Sequence, residues 1–165
     1  MTFEEYVLVR GPALMRFARL LTADNHRAED LVQDVLAKAF VHWRRITAAD
    51  HPDLYVRRML LNAHHSWRRR RMNREVTAAD LGDYENVVDA TLDLVERDAI
   101  WRVVRTLPAQ QRTVIVLRYY EDYDDATIAG LLGCSTGTVR KQAMRALEKL
   151  RAVLPALLLT TKENP

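Results

Sequence analysis

One stretch of the sequence, residues 123–151, has helix-capping residues at the places where two apolar helical patterns begin and end. Asp124 or Asp125 can cap a short first helix, whose apolar residues recur at helical spacing. Gly133 follows the last of them, where the left-handed end of a helix favours glycine. Ser135 can then cap a second helix. Two helices joined by a short turn with a glycine predict a helix-turn-helix.

The second of these helices has an apolar side and a polar, basic side. Its inward stripe consists of Val139, Ala143, Ala146, Leu147 and Leu150. The opposite face places basic residues where the major groove of DNA would receive them, and hydroxyl residues at the N-terminus suit phosphate contacts. The residues predicted to contact DNA are Ser135, Thr136, Thr138, Arg140, Lys141, Met144 and Arg145. A helical hairpin with a solvated basic face is the plainer alternative, and the position of the charges favours DNA binding.

The composition limits the fold class and the compartment. The 165 residues suffice for one domain or two small ones, and 48% of them are hydrophobic. Few glycines and prolines, five of each, and little alternation of β type predict an all-α fold. A single cysteine allows no intramolecular disulfide and fits a reducing, cytoplasmic location. We expect no membrane span and no signal peptide, because no apolar run approaches roughly 20 residues and the N-terminus is acidic.

Two helices are predicted before residue 47. Gly11–Pro12 is expected to bend or interrupt the first. The second is expected to run unbroken over 26–46, with Phe40 and Trp43 in its apolar stripe. Charge alone indicates an ordinary solvated surface on its outer face, which includes Glu29, Asp30, Gln33 and Asp34.

A third predicted helix, from Pro52 to about Arg71, is strongly basic. Residues 54–74 contain seven arginines and no acid, with aromatic residues between them. Charges that follow a backbone and rings that stack on bases suit single-stranded nucleic acid. Trp67 also fits a packing role beside a basic helix end, and the sequence leaves both interpretations open.

The charge then changes sign, because residues 75–98 hold eight acids and one arginine. This acidic, weakly periodic stretch indicates a linker between domains. The predicted organisation is a helical domain at 1–74, an acidic linker at 75–91 and a helical domain with the helix-turn-helix at 92–165.

No pattern for catalysis or cofactor binding is present in the sequence. The five histidines lack the HExxH spacing of a zinc helix, and there is neither a glycine-rich phosphate loop nor a GxSxG elbow. We therefore expect no enzymatic activity, no metal site and no cofactor.

Three runs of the sequence together resemble bacterial RNA polymerase sigma factors of the sigma-70 family, in its extracytoplasmic-function group. They are AEDLVQDVLAKAFVHW at 28–43, YVRRMLLNAHHSWRRRR at 55–71, and the run at 107–151 that ends in the helix-turn-helix. They stand in the order and spacing of the family, and the resemblance covers nearly the whole chain. The resemblance implies two helical domains, sigma regions 2 and 4, and a factor that brings core RNA polymerase to promoters without catalysing a reaction.

The resemblance also implies roles for particular residues. The outer face of the second helix would dock on the clamp helices of the polymerase's largest subunit, which replaces the solvated-surface interpretation for Glu29, Asp30, Gln33 and Asp34. The third helix would hold the −10 element as a single strand through Arg57, Arg58, Asn62, His65, Trp67, Arg68 and Arg69. The loop at 46–54 would hold a flipped base. The last helix would read the −35 element as duplex. The implied partners are promoter DNA and core polymerase, including its flap, with an anti-sigma factor as a further candidate.

The last helix departs from the family pattern at one place. After the threonine the family often has Val-Lys/Arg-Ser-Arg, whereas this chain has Val-Arg-Lys-Gln at 139–142. The −35 preference of relatives therefore cannot be carried over. The competing interpretation is a self-sufficient helix-turn-helix regulator. Against it, the first seventy-odd residues are basic and helical and lack the βα pattern of a receiver domain.

Overall fold

The computed structural model describes residues 1–75 and 99–161, and over these residues the chain is helical and contains no strand. It divides into two compact units, unit 1 at Met1–Val87 and unit 2 at Val88–Pro165. The predicted all-α fold is confirmed. The predicted domain boundaries at 74 and 92 remain predictions, since the linker beyond Glu75 lies outside the described residues. Over the described ranges, no helix combines the length and apolar character needed to cross a membrane.

Unit 1 is built from four helices in its described part. They are α1 (Phe3–Thr22), α2 (Asn25–Val41), α3 (Trp43–Thr47) and α4 (Pro52–Glu75). A capping box between Thr2 and Glu5 begins α1, and the Asp24 side chain accepts from the Arg27 backbone N–H to begin α2. Helices α1, α2 and α4 pack against one another and α3 packs against α4. The core is apolar and includes Leu14, Phe17, Leu21, Leu31, Val35, Ile46, Leu60 and Leu61.

Of the bend or interruption expected at Gly11–Pro12, the interruption is wrong. Helix α1 runs continuously with Pro12 inside it. Pro12 is exposed, and buried side chains hold the helix on both sides of it, Tyr6 before and Leu14 after. Packing of both halves on the core thus offsets the cost of the missing backbone hydrogen bond.

The predicted unbroken helix over 26–46 is also wrong. It is broken at His42, whose backbone leaves the helical region, with φ −107° and ψ 16°. Beyond the break, Trp43 turns toward α1, where its ring lies 4.9 Å from that of Tyr6 and its Nε1 donates to the Met1 carbonyl. Phe40 is 59% exposed, not part of the core, and stacks edge-on against Phe3. The apolar stripe is therefore buried as far as Ala39, whereas Phe40 and Trp43 form an aromatic cluster with α1.

Unit 2 consists of four helices in its described part. They are α5 (Ala99–Thr106), α6 (Ala109–Ile115), α7 (Asp125–Leu132) and α8 (Thr136–Thr161). Pro108 caps α6, and a π-helical turn at Val116–Tyr120, which the sequence did not predict, continues it. Helix α8 packs against α5, α6 and α7, so it is the central element of this unit.

The predicted helix-turn-helix is confirmed in its local geometry. Asp124 Oδ1 accepts from the Thr127 backbone N–H at 2.7 Å and caps α7. Gly133 ends α7 in the left-handed region at φ 67°. Ser135 Oγ accepts from the Thr138 backbone N–H at 3.1 Å and begins α8. These caps fix where α8 begins and leave its first turn exposed to solvent.

A polar network links α1 to the start of α4. The Tyr6 hydroxyl donates to Asp53 Oδ1 at 3.0 Å, and Arg57 pairs with the other oxygen of the same carboxylate. Burial, with the neighbouring Asp53 carboxylate as a second cause, raises the pKa of the Tyr6 phenol, which therefore stays protonated and donates. Because Asp53 satisfies both groups, it fixes the register of α4 against α1.

We predict that Asp53→Ala lowers the unfolding free energy of unit 1 by about 1–3 kcal/mol, because it leaves the buried Arg57 without its paired carboxylate. Tyr6→Phe removes one hydrogen bond and should cost about 1 kcal/mol. Hydrogen exchange of α1 and α4 peptides would measure both, with unit 2 peptides as internal reference. The matched control is Asp50→Ala, an exposed acid of the same connection. Equal exchange in the Asp53 and Asp50 variants would contradict the prediction.

Candidate nucleic-acid interface

The outer face of α8 gathers most of the side chains predicted to contact DNA. Its four central members are exposed, namely Arg140, Lys141, Met144 and Arg145. Of the N-terminal three, Ser135 and Thr138 are exposed and Thr136 is half-buried. The opposite stripe is buried against the unit, so the helix presents one polar, cationic face. This is a surface of the width that enters a major groove.

Gln142, beside this face, and Arg140, on it, have partners inside unit 2. Gln142, where the family often has arginine, donates through Nε2 to Gln110 Oε1 at 3.3 Å. Arg140 places Nε 3.4 Å from Asp125 Oδ2, and Asp125 Oδ1 also lies 3.3 Å from a terminal nitrogen of Arg118. The acid that the sequence offers as an alternative cap of α7 thus contacts α8.

The −10 residues predicted on α4 divide between different faces of that helix. Arg58, Asn62 and Arg69 are exposed and His65 is half-buried, and their spacing of three or four residues puts them on one stripe. Burial, and after it the charges of Arg68 and Arg69, lowers the pKa of His65, so the imidazole is neutral at pH 7. This stripe therefore offers two cations, an amide and a neutral ring.

Arg57 does not belong to the exposed surface. It is 6% exposed, pairs with Asp53 and lies against the Phe17 ring. Its neighbour Arg68 is half-buried, and burial lowers the pKa of that guanidinium. The predicted contact of Arg57 with DNA is inconsistent with this position, because the core and an ion pair already occupy its guanidinium.

Trp67 lies between two arginines. The Arg27 guanidinium is 4.0 Å from the ring centroid, and that of Arg71 is 5.3 Å away. Five residues separate Trp67 from Asn62, which places them about 140° apart around α4. The structure therefore does not bring this ring to the Asn62 stripe. Its cation–π contacts tie α2 to α4, which favours the packing role that the sequence left open.

The four residues predicted to bind polymerase share the outer face of α2. Glu29, Asp30, Gln33 and Asp34 are all exposed. Arg27, at the edge of this face, is partly buried, which lowers its pKa, while the charges of Asp30 and Asp34 oppose that shift. The Arg27 side chain thus lies between the acidic face of α2 and Trp67.

Sequence reasoning missed Arg27 and Asp53, and it saw Asp125 only as a possible cap. The contact of Arg27 with Trp67 and that of Asp53 with Tyr6 each join two different helices, so no local spacing reveals them. One usable signal existed for Asp53, an acid four residues before Arg57 on a predicted helix, which is the spacing of an ion pair.

We predict that Trp67→Ala lowers the unfolding free energy of unit 1 by about 1–3 kcal/mol, since it removes apolar burial and the Arg27 contact. Asn62→Ala, on the exposed stripe, should change it by no more than about 0.5 kcal/mol. Hydrogen exchange of α2 and α4 peptides would compare the two. Unchanged protection from hydrogen exchange in the Trp67 variant would contradict the packing role and would again make this ring a candidate for base stacking.

A second prediction concerns pH. Because the pKa of His65 in the folded state lies below the ordinary 6.5, the unfolded chain binds more protons below that pH. The contribution of neutral His65 to stability is therefore present above pH 6.5 and is lost as the pH falls. His65→Gln should lose less unfolding free energy between pH 7 and about 5 than the unchanged protein. Thermal melts across this range would measure it, with exposed His42→Gln as control. Parallel pH curves for all three proteins would contradict the prediction.

Comparison with protein families gives two matches, one within each unit. Residues 8–74 match Sigma-70 region 2, and residues 97–150 match Sigma-70, region 4. The first match covers most of α1 and all of α2, α3 and nearly all of α4, and the second ends within α8.

Individual relatives agree with the family matches. The chain is 38% identical to RNA polymerase sigma-E factor of Streptomyces coelicolor, over 93% of this chain and 86% of the relative. It is 32% identical to ECF RNA polymerase sigma factor SigL of Mycobacterium tuberculosis, over 87% of this chain and 84% of the relative.

Two solved structures with a similar fold cover most of this chain. The Bartonella quintana sigma factor RpoE, solved with the anti-sigma factor NepR, has a TM-score of 0.76 at 25% identity and covers 93% of this chain and 96% of its own. CnrH, solved with the cytosolic domain of CnrY, has a TM-score of 0.59 at 26% identity, with 93% and 88% covered. The chain therefore belongs to the extracytoplasmic-function group of sigma-70 RNA polymerase sigma factors, which serve promoter-directed initiation of transcription.

Proposed function

We propose that this protein binds core RNA polymerase, reads the −35 element as duplex through α8 and holds the melted −10 strand against α4. The observation that carries the proposal is the pair of exposed cationic faces, one on α8 and one on α4, each within a unit that matches a different sigma region. In this proposal the factor acts in the cytoplasm and catalyses no reaction of its own.

The −35 role rests on the face of α8. Arg140 and Arg145 can each donate two parallel hydrogen bonds to a guanine edge, while Lys141 suits phosphate as a point charge. Ser135 and Thr138 lie at the helix N-terminus, where backbone N–H groups and the helix dipole favour a phosphate.

The −10 role rests on the stripe of α4. Arg58 and Arg69 can follow the backbone of a single strand, and the Asn62 amide can hydrogen-bond an unpaired base. Arg57 and Trp67 are left out of this assignment, because the first is buried and the second is stacked between arginines.

The polymerase role rests on the exposed face of α2. Three acids and an amide project from one side of a helix whose other side is buried, which suits docking on a basic helical surface such as the clamp helices of the largest subunit. Unit 2 is assigned to the polymerase flap by the family alone. An anti-sigma partner is also proposed, since the solved relatives RpoE and CnrH are complexes with NepR and CnrY.

Transcription in vitro tests the proposed function. Purified bacterial core polymerase with this protein should initiate from a restricted set of genomic fragments, and mapped start sites should share sequence near −10 and −35. Core polymerase alone and the free protein alone are the controls. Tight, sequence-specific binding by the free protein without polymerase-dependent initiation would favour the self-sufficient regulator instead.

For the −35 element, Arg140→Ala and Arg145→Ala should each weaken holoenzyme binding to a selected promoter by about 1–3 kcal/mol. Lys141→Ala should weaken promoter and scrambled duplexes alike, because a phosphate contact carries no sequence information. Anisotropy titration on both duplexes measures the difference. Equal losses on both duplexes in the two arginine variants would refute base reading.

For the −10 element, Asn62→Ala should leave polymerase binding intact and slow strand opening, since the exposed amide is proposed to bind a base only after melting. Permanganate footprints over time would follow the opening. Glu29→Gln on the exposed face of α2 is the matched control, expected to weaken polymerase binding and leave the footprint of the assembled holoenzyme unchanged.

A further inference from the structure

Asp125 connects the π-helical turn after α6 to the DNA-facing helix α8. Its side chain is 18% exposed, whereas that of Arg140 is 69% exposed. The contact joins Oδ2 of the acid to Nε of Arg140 at 3.4 Å, and Oδ1 to Arg118 at 3.3 Å. A mostly buried carboxylate thus touches the inner edge of an exposed guanidinium.

The carboxylate depends on these arginines for compensation. Within the described part of the chain, Asp125 Oδ1 is buried and makes no hydrogen bond. A buried carboxylate oxygen in that state is costly unless positive charge lies close to it. The N-terminal end of α7 adds a favourable dipole, and Arg118 and Arg140 supply the cations. Oδ2, the oxygen that contacts Arg140, also accepts a hydrogen bond from Arg118 at 3.4 Å, so the ion pair with Arg140 is the part of this compensation that reaches α8.

We propose that Asp125 is a positioning residue that sets the specificity of Arg140 for a guanine in the −35 element. Of the guanidinium nitrogens of Arg140, Nε is the one with an ion-pair partner among the described residues. The two terminal nitrogens remain to donate side by side to O6 and N7 of guanine, which is the bidentate contact. This inference rests on the proposed −35 role of α8, and it adds to that role a residue of another helix, Asp125 of α7.

Two opposite effects follow from the position of this acid. An arginine held in advance loses less side-chain freedom on binding, which corresponds to about a threefold to tenfold gain in affinity for the correct base. The same negative charge lies beside the DNA-facing surface and repels phosphate, which lowers affinity for every sequence. Asp125 should therefore raise discrimination while it lowers general affinity, a combination that neither simple repulsion nor a purely structural role produces.

The experiment uses holoenzyme assembled from the full chain and bacterial core polymerase. The probe is a duplex library randomised over the −35 element, and bound DNA is sequenced to give a base preference at each position. The variants are Asp125→Asn, Arg140→Ala, the two combined, and Asp122→Asn. Asp122 is exposed and has φ 57°, a conformation that asparagine tolerates, so its variant removes one nearby charge without strain.

Arg140→Ala should abolish the guanine preference at one position or two adjacent ones. Asp125→Asn should reduce the preference at those same positions about threefold to tenfold, leave other positions unchanged and raise binding to the library as a whole. The combined variant should match Arg140→Ala alone in base preference, because the acid acts on that preference through the arginine, and should bind the library as a whole more tightly, because the repelling charge is absent. Asp122→Asn should keep the base preferences of the unchanged protein.

Three results would overturn the inference, each in a recognisable way. A preference profile unchanged in Asp125→Asn but flattened in Arg140→Ala leaves the −35 role intact and removes the role of the acid. A profile unchanged in both variants refutes base reading by Arg140 itself. A uniform loss of base preference at every position in Asp125→Asn, with faster hydrogen exchange in α7, would mean that Asp125 only stabilises the structure.

A measurement on the free full-length protein is independent of DNA. The Arg140 Nε–H signal in nitrogen-15 NMR should show restricted motion in the unchanged protein and faster motion in Asp125→Asn. Asp122→Asn should keep the restricted signal. Equal mobility in all three proteins would show that the acid does not hold the arginine and would also overturn the inference.

Discussion

The burial of a narrow stripe of small residues on α8 is the constraint on which the proposed recognition surface depends. Val139, Ala143 and Ala146 are almost fully buried against the helices that surround α8. Small side chains allow close helix packing, and this contact fixes the rotation of α8 about its own axis. Once the rotation is fixed, the side chains opposite this stripe must point outward. The cationic face is therefore a geometric consequence of how the opposite face packs.

Four arginines among the described residues illustrate physically different environments. Arg57 is buried and paired with Asp53, and Arg27 is stacked on Trp67. Arg140 forms an ion pair with Asp125, and Arg58 is exposed. The planar, permanently charged group of arginine can pair, stack or donate in parallel, so one residue type serves all four. A count of charges along the sequence therefore overestimates the surface available to nucleic acid.

The parts of the fold that could be predicted from the sequence are those set by neighbours along the chain. The cap at Ser135 and the left-handed Gly133 depend on local hydrogen bonds and backbone sterics, and both were predicted. The break at His42, the continuous helix through Pro12 and the contact of Trp67 with Arg27 depend on groups distant in sequence. The periodicity of apolar residues therefore does not predict them. The exposed face of α8 was predictable because the sequence pattern also predicted the buried stripe opposite it. For α4, the sequence analysis assigned residues to one nucleic-acid surface that the structure places on different faces.

The separation between packing and recognition on α8 has a consequence for how such a factor diverges. Lys141, Met144 and Arg145 are exposed, so under the proposed −35 role exchanging them would change the contacts with DNA with little effect on the free energy of folding. Arg140 is different, because its inner edge is in contact with a residue of another helix. In the proposed recognition, new target sequences would arise by drift at these three positions, whereas a change at Arg140 would be coupled to Asp125 of α7 and would favour two substitutions together.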